Sequence, residues 1–565
     1  MTYIIDKIYG QLAAAVSGSI EKAVAGGLLP TGTVMPEINI EVPKERSHGD
    51  FSCNAAMGMA GSARSAPVKI AGIIAAGMDF TGTYIERVEV AGPGFLNFFA
   101  NDLWLRDSVA DILGMGGDYG KLNIGAGRRV MVEYVSANPT GPLHMGNARG
   151  GALGDLIANV LKKAGYEVTK EYYVNDAGNQ IEKFAQSLEL RYLQQINGPD
   201  SVVFPEDCYQ GEDIMDHARN YIESGLEDLS DKPSEYRRKK LAAYALPTNI
   251  ENIRKGLKRY GIKFDNWFSE QSLYDSGELD DTIEFLRENG HTMEKDGALW
   301  FKCGSMESEK DEVLVKSDGF TTYFASDLAY HRNKFQKRGF DRVINLLGTD
   351  HHAHAVRLKN SMPALGIDSG RLDLVLFQLV RLMRGGETVR MSKRTGRAVS
   401  LDELLDETGV DAARFFFNMK ASGSHLDFDL DLAVKQSNEN PVFYVQYAHA
   451  RICSMLRILG QEGVDVDSEG CPSLDSLEKD EEKDLMRILA LYPQEIAISA
   501  RTLEPGRLTR YVIDVATAFH SFYNACRVKG EKKELMEARL ALVKATLSII
   551  KNVLGVLSIS APEKM

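Results

Sequence analysis

His144 and Asn147 bracket Met145-Gly146 inside a stretch, residues 136–150, that reads SANPTGPLHMGNARG. An imidazole and a carboxamide three positions apart, with glycine between them, suit hydrogen bonding to an anion lying close against the backbone. A second glycine-punctuated stretch, Gly385 to Gly396, carries Arg390, Met391, Ser392, Lys393 and Arg394. Its hydroxyl and ammonium groups suit charge that develops on phosphate oxygens during a transfer. A third grouping, Asp350, His351, His352 and His354, has the residue types of a metal site. Adjacent His351 and His352 do not readily face one ion, however, and no second ligand cluster accompanies them, so no protein-held metal is expected.

The first stretch follows a strand-like run, Arg129 to Val135, rich in β-branched and aromatic residues. Pro139, Gly141 and Pro142 make a turn, and Ala148 to Lys162 has the spacing of an amphipathic helix. A strand at Glu167 to Val174 completes a βαβ unit, which implies parallel strands and a right-handed crossover. The His144 turn then falls at a strand's carboxyl end and a helix's start, where free N–H groups favour an anion.

From about residue 180 to 300 the pattern becomes helical and charged, as an insertion would be. It contains a basic block with Arg237, Arg238, Lys239, Lys240, Arg254, Lys255, Lys258 and Arg259, whose plain reading is a solvated helix face. Parallel-strand signals return at Val343 to Leu347 and at Leu374 to Val380. Before all this, Ile4, Ile5, Ile8, Leu12, Val16 and Ile20 predict a helix, and Gly92-Pro93-Gly94 before Phe95 to Phe99 predicts a hairpin. Ser47 to Asp50 reads as turn chemistry. Glycines at 114, 116, 117, 120, 125 and 127 mark a boundary near residue 120. After Asn440-Pro441, four amphipathic helices are expected at about 441–459, 481–503, 507–528 and 534–557.

The 565 residues exceed one core. With 44% hydrophobic and 26% charged residues the composition is that of a globular chain. The net charge of −13 excludes a protein coated in nucleic acid but permits a local grip. Six scattered cysteines without a CxxC exclude a disulfide scaffold and a zinc ribbon, and a reduced, cytoplasmic setting is expected. No run reads as a membrane span or a signal peptide.

Taken together, the loops carry a resemblance. HMGN at 144–147 resembles the HIGH signature of class I aminoacyl-tRNA synthetases, and RMSKR at 390–394 resembles their KMSKS loop. VEYVSANPTGPLHMGNARG at 132–150, YYVNDAGNQI at 172–181 and AGPGFLNFF at 91–99 resemble the arginyl-tRNA synthetase family, over essentially the whole chain. Each signature is departed from: Asn147 replaces a histidine in the first, and Arg390 and Arg394 replace the outer lysine and serine of the second.

The resemblance implies an α/β fold: a Rossmann-type parallel-sheet catalytic domain at 121–400 with a helical insertion at about 180–300. An N-terminal α+β domain at 1–120 would reach the tRNA elbow. A connecting helical segment would occupy 401–440, and an all-α anticodon-binding bundle 441–565. It implies ligation of arginine to its tRNA through an arginyl-adenylate, with ATP as substrate and Mg²⁺ bridging its phosphates. By the same resemblance His144, Gly146, Asn147, Met391, Ser392 and Lys393 would bind ATP, with His144, Asn147 and Lys393 catalytic. Glu133, Asn138, Tyr323 and Asp327 match arginine-pocket positions, and Asp350 and His351 are added as contacts. Among Phe443, Tyr444, Tyr447, Phe519, Phe522 and Tyr523, some could stack splayed tRNA bases and most would be core. A monomer without membrane partners is expected. A synthetase for another amino acid, or a catalytically silent tRNA-binding relative, are the alternatives.

Overall fold

The computed structural model describes residues 2–303, 311–389, 399–468 and 470–565. Its centre is an all-parallel five-stranded sheet in the spatial order Leu372–Phe377, Arg342–Gly348, Arg129–Glu133, Glu167–Val174 and Asn266–Ser269. Val130, Met131, Val132, Val343 and Ile344 are wholly buried, as expected where both faces of a parallel sheet are covered. From Arg129–Glu133 the next two strands in the chain add on one side and the last two on the other. Strand order therefore reverses between Arg129–Glu133 and Arg342–Gly348, which opens a crevice at their carboxyl ends.

Helix Met145–Lys163 makes the first crossover. Its glycines are where they are for contact: a Cβ on Gly154 would stand 2.3 Å from Tyr134 Cγ, and one on Gly150 2.8 Å from Phe377 Cζ. The helix consequently lies flat on the sheet, with its N-terminus at the mouth of the crevice.

The expected insertion at about 180–300 is only partly helical. Helices Asn179–Asn197, Glu212–Glu223 and Ser234–Arg259 form a unit with its own core, including Phe184, Leu188, Tyr192 and Ile214. The chain then rejoins the central sheet at Asn266–Ser269 and goes on to an antiparallel sheet of Thr292–Lys295, Ala298–Phe301 and Glu312–Val315. The strand Asn266–Ser269 is four residues long and half-buried throughout, so it carries neither an apolar run nor an alternation.

The N-terminal region is a four-stranded antiparallel sheet, including the hairpin that pairs Ile85–Ala91 with Phe95–Ala100, covered by helices Ile4–Ala25, Ala55–Ala63 and Pro67–Ala76. Helix Leu103–Met115 follows and packs on the C-terminal helices Asp480–Ala490 and Lys533–Leu557. Ion pairs cross the same contact: Arg487 to Asp50 at 2.8 Å and Lys483 to Asp102 at 2.7 Å.

The C-terminal region holds five helices rather than four, because the expected 481–503 helix divides into Asp480–Ala490 and Tyr492–Thr502 with Pro493 in the first turn of the second. Its last helix, Lys533–Leu557, is long and apolar enough to cross a membrane by composition, with mean hydropathy 1.7, contrary to the sequence expectation. Two thirds of that window is buried inside the protein (67%), with Val543, Ile550 and Leu554 in the core, so the apolarity is accounted for by packing.

Candidate active site

The turn leaving strand Arg129–Glu133 is strained. Ser136 N–H donates to Tyr134 C=O at 3.0 Å, closing a three-residue turn on Val135, whose φ is +67°; Ser136 follows at +40°. A β-branched residue pays about 1–3 kcal/mol for such a backbone, so neighbours must hold it. They do: Tyr173 N–H donates to Ser136 Oγ at 3.1 Å, Asn175 Nδ2 to Ser136 C=O at 3.1 Å and Tyr172 Oη to Ala137 C=O at 2.7 Å. The helical insertion adds a further clamp, Asn249 Nδ2 to Pro139 C=O at 2.9 Å, with His217 behind it.

His144 is the N-cap of Met145–Lys163. Its Nδ1 accepts from Gly146 N–H at 3.2 Å, while its own N–H donates to Asn147 Oδ1 at 3.1 Å. An Nδ1 that accepts leaves the proton on Nε2, which becomes an outward donor. Solvent reaches the ring, yet surrounding protein holds its pKa below the ordinary 6.5. Asn147 spends its carbonyl oxygen on this cap, so it serves the geometry of the turn. A Cβ on Gly146 would lie 3.1 Å from His144 Cε1, which explains the glycine.

Arg149, one turn further, is wholly buried and has no carboxylate partner among the described residues; it donates to the carbonyls of Gln378 at 2.6 Å, Ser424 at 2.9 Å and Ala421 at 3.0 Å. It thereby ties this helix to the base of the hairpin Val380–Arg384/Glu387–Val389, which leads into the Arg390–Arg394 run. Arg390, Met391, Ser392, Lys393 and Arg394 themselves lie outside the described residues. Beyond them, Ser400 forms a β-bridge with His144.

Deeper in the crevice a polar row crosses the sheet in register: Asn345, Glu133, Glu171 and Asn266. Cations from a π-helical turn, Asn333–Lys337, and the residue after it cover this row. Lys334 Nζ donates to Glu133 Oε2 and, at 3.3 Å, to Asn345 Oδ1; Arg338 donates to both oxygens of Glu171. Burial pushes the Glu133 carboxyl up and Lys334 opposes it, whereas for Glu171 the pull of Arg338 and Lys334 outweighs burial.

The other predicted pocket residues are distributed unevenly. Asp327, on helix Tyr323–Arg332, bonds His354 Nε2 through Oδ2 at 2.5 Å, which raises the imidazole's pKa. Tyr323 is half exposed, with its hydroxyl close to Gly178 in the turn after Glu167–Val174. Asn138 Nδ2 donates to Gln180 Oε1 across the same mouth. Asp350 and His351 project into solvent, 71% and 61% exposed, and pair with each other at 3.5 Å.

Sequence reasoning missed Glu270. It is 1% exposed at the end of strand Asn266–Ser269, and its Oε2 has no hydrogen-bond partner among the described residues. Burial, with Asp327 and Asp176 nearby, raises its pKa to about 7, against a lowering by Ser326. A buried carboxyl beside two others and without a cation is suited to receive one. Its only sequence signal is its position after a strand that was itself unreadable. His354 and Lys334 were likewise missed, the former because it was weighed only as a metal ligand.

In the C-terminal bundle, a cavity of about 1010 Å³ is lined by Tyr447, Arg451, Tyr523, Arg527 and Lys529, among others. Arg451 lies over the rings of Tyr447 and Tyr523 at 4.5 and 4.9 Å, while Phe519 and Phe522 are core.

Three family profiles match the chain: an "Arginyl tRNA synthetase N terminal domain" at residues 10–100, a "tRNA synthetases class I (R), catalytic domain" at 108–422 and a "DALR anticodon binding domain" at 445–565. An arginine–tRNA ligase of Acetivibrio thermocellus is 62% identical over 565 residues, 100% of both chains, and one of Ruminiclostridium cellulolyticum is 58% identical over the same length and coverage. The fold is also that of Thermus thermophilus arginyl-tRNA synthetase, with TM-score 0.74 over 97% of this chain and 99% of that one at 21% identity. The chain belongs to the arginyl-tRNA synthetase family of class I aminoacyl-tRNA synthetases.

Proposed function

We propose that the chain charges the tRNA for arginine in two steps at one site. The arginine carboxylate attacks the α-phosphorus of ATP, the bond to the β-phosphate breaks, and pyrophosphate leaves arginyl-adenylate. A terminal ribose hydroxyl of the tRNA then attacks the arginyl carbonyl and AMP departs. The observation that carries this reading is that the His144 turn and a mouth rich in buried carboxylates open at the same switch point of the sheet.

In this reading His144 donates Nε2–H to the triphosphate and Gly146 leaves room for the flat face of the nucleotide. Lys393, with Ser392 and Met391 beside it, brings an ammonium to the leaving pyrophosphate, while Asn147 keeps the His144 turn in shape. Asp327 and Glu270 receive the guanidinium, Tyr323 closes over it, and Glu133 and Asn138 face the α-ammonium end. Exposed Asp350 and His351 are left to the rim. No group of three or more His, Cys, Asp or Glu side chains among the described residues could cage a metal, so Mg²⁺ would arrive on the phosphate oxygens, and no step is assigned to it.

The domain division follows the same logic: residues 1–120 for the tRNA elbow, 121–400 for chemistry, 401–440 as connector and 441–565 for the anticodon. In the last of these, Tyr447, Tyr523 and Arg451 offer stacking and cationic surfaces to unpaired bases. The acting species is a cytoplasmic monomer.

The test is ATP–pyrophosphate exchange across the amino acids, with and without tRNA. Only arginine should support it. Lys393→Ala should lower the exchange kcat while arginine binding persists, and Asp327→Ala should abolish arginine activation while ATP still binds. Exchange with another amino acid, or none at all, would overturn the reading.

A further inference from the structure

Lys334 has no place in the chemistry above, yet it is wholly buried within the amino-acid pocket. The π-helical turn Asn333–Lys337 aims it at the sheet, and turns of this kind recur where a side chain must be placed against the regular helical path. There its ammonium touches two residues that are partners in register on the two strands flanking the switch point, Glu133 and Asn345. It also sits 3.9 Å from the Tyr330 ring centre.

From Asn345 the contacts continue in one polarity. Asn345 Nδ2 donates to His331 Nε2 at 2.9 Å, which leaves the proton on Nδ1 to donate to Asp327 C=O at 2.8 Å. His331 and Asn345 are 2% and 3% exposed, so water does not substitute for any link. One ammonium thus joins the Glu133 strand to the helical turn carrying Asp327, the two ends of the pocket proposed to grip arginine.

We propose that Lys334 is a positioning residue for arginine: it fixes Glu133 so that the carboxylate's remaining oxygen meets the substrate's α-ammonium, and through Asn345 and His331 it holds the Asp327 turn in step. This rests on the assignment of Glu133 and Asp327 to the arginine pocket. A merely structural lysine would lower stability and disturb ATP and arginine alike. A positioning lysine alters arginine selectively and acts through Glu133.

The experiment uses the full chain with tRNA present and reads the KM for arginine and for ATP in pyrophosphate exchange, alongside thermal unfolding. Lys334→Met should raise the arginine KM about tenfold and change the ATP KM by less than about twofold. The double variant with Glu133→Gln should fall clearly short of the product of the two single effects on the arginine KM, since both changes weaken the Lys334–Glu133 contact while only Lys334→Met removes the arm through Asn345. If Lys334→Met does not fold, Lys334→Gln, which keeps a donor but not the charge, decides by the same criteria. An unchanged arginine KM in the folded variant, equal loss for both substrates, or effects that multiply in the double variant would overturn the proposal. An unchanged arginine KM in Glu133→Gln would instead remove the pocket assignment beneath it.

Discussion

His144 and Ser400 face each other across an antiparallel β-bridge, and Leu401 N–H donates to Leu143 C=O at 2.9 Å beside it. Ser400 is at the same time the N-cap of helix Leu401–Thr408: Glu403 N–H donates to Ser400 Oγ at 3.2 Å and Ser400 N–H returns to Glu403 Oε2 at 2.9 Å. Ser400 and Leu401, which follow the Lys393 stretch in the chain, are therefore fixed to the turn that caps the first signature. Ser400→Ala should cost about 1 kcal/mol through the lost cap. If the bridge also registers the two loops, the ATP KM should rise more than the arginine KM; an equal change in both would mean that the cap matters only for stability.

The acceptor role of His144 Nδ1 requires a neutral ring, and burial, by lowering its pKa, favours that form. Its contribution to stability is present above the unfolded-state value and is lost as pH falls through the lower folded one. The contribution of His144 to adenylation should accordingly persist to more acid solution than an imidazole of ordinary pKa would allow. His144→Ala should lower kcat about 10²-fold, the scale of one lost transition-state donor, with little change in arginine binding. Pre-steady-state adenylate formation measures both.

Glu270 is expected to couple arginine to protons. Its carboxyl, ordinarily near 4.5, is raised to about 7 by burial and by Asp327 and Asp176. A raised acid stabilises the fold while protonated, so this contribution is full below 4.5 and lost as pH rises through 7. A guanidinium reverses the balance by favouring the ionised form. Calorimetry near pH 7 in buffers of different ionisation enthalpy should show proton release when arginine binds, and Glu270→Gln should abolish the release and weaken arginine by at least about tenfold. Arginine binding without proton release in the unaltered protein would exclude the role.

The His144 turn is legible because glycine, proline and histidine crowd into a short stretch after an apolar strand, and Gly150 and Gly154 in the helix that follows lie where a Cβ would meet Phe377 and Tyr134. The carboxylate end was legible only in part. Glu133 and Asp327 came from resemblance, whereas Glu270 depends on a four-residue strand with no periodicity, and Lys334 on a helix that widens by one residue per turn. Neither leaves a mark in a linear pattern, since what makes each functional is the set of neighbours brought from distant strands. Asp350 and His351 follow from the turn after the strand at Val343 to Leu347, and both side chains are exposed there.

The buried pair Arg414–Asp155 makes a separate prediction, because it joins three parts of the chain that the sequence presents as independent. Arg414 donates to Asp155 Oδ2 at 2.5 Å, to Leu557 C=O at 3.0 Å and to Tyr260 C=O at 3.1 Å, linking the first crossover helix, the last helix of the bundle and the end of the insertion. Burial pushes Asp155 up, but Arg414 and Lys170 outweigh it and hold the carboxyl below its ordinary range. Arg414→Met should cost about 3 kcal/mol, because it leaves a nearly inaccessible carboxylate with Lys170, at 2.7 Å, as its remaining cation and orphans two carbonyls. Adding Asp155→Leu should restore part of that loss, since it removes a buried charge that Lys170 alone compensates incompletely. Denaturant unfolding followed by two probes, one in the bundle and one near Tyr134, checks the argument: the single variant should shift both transitions together if the pair couples the domains, and a shift confined to one probe would show that it does not.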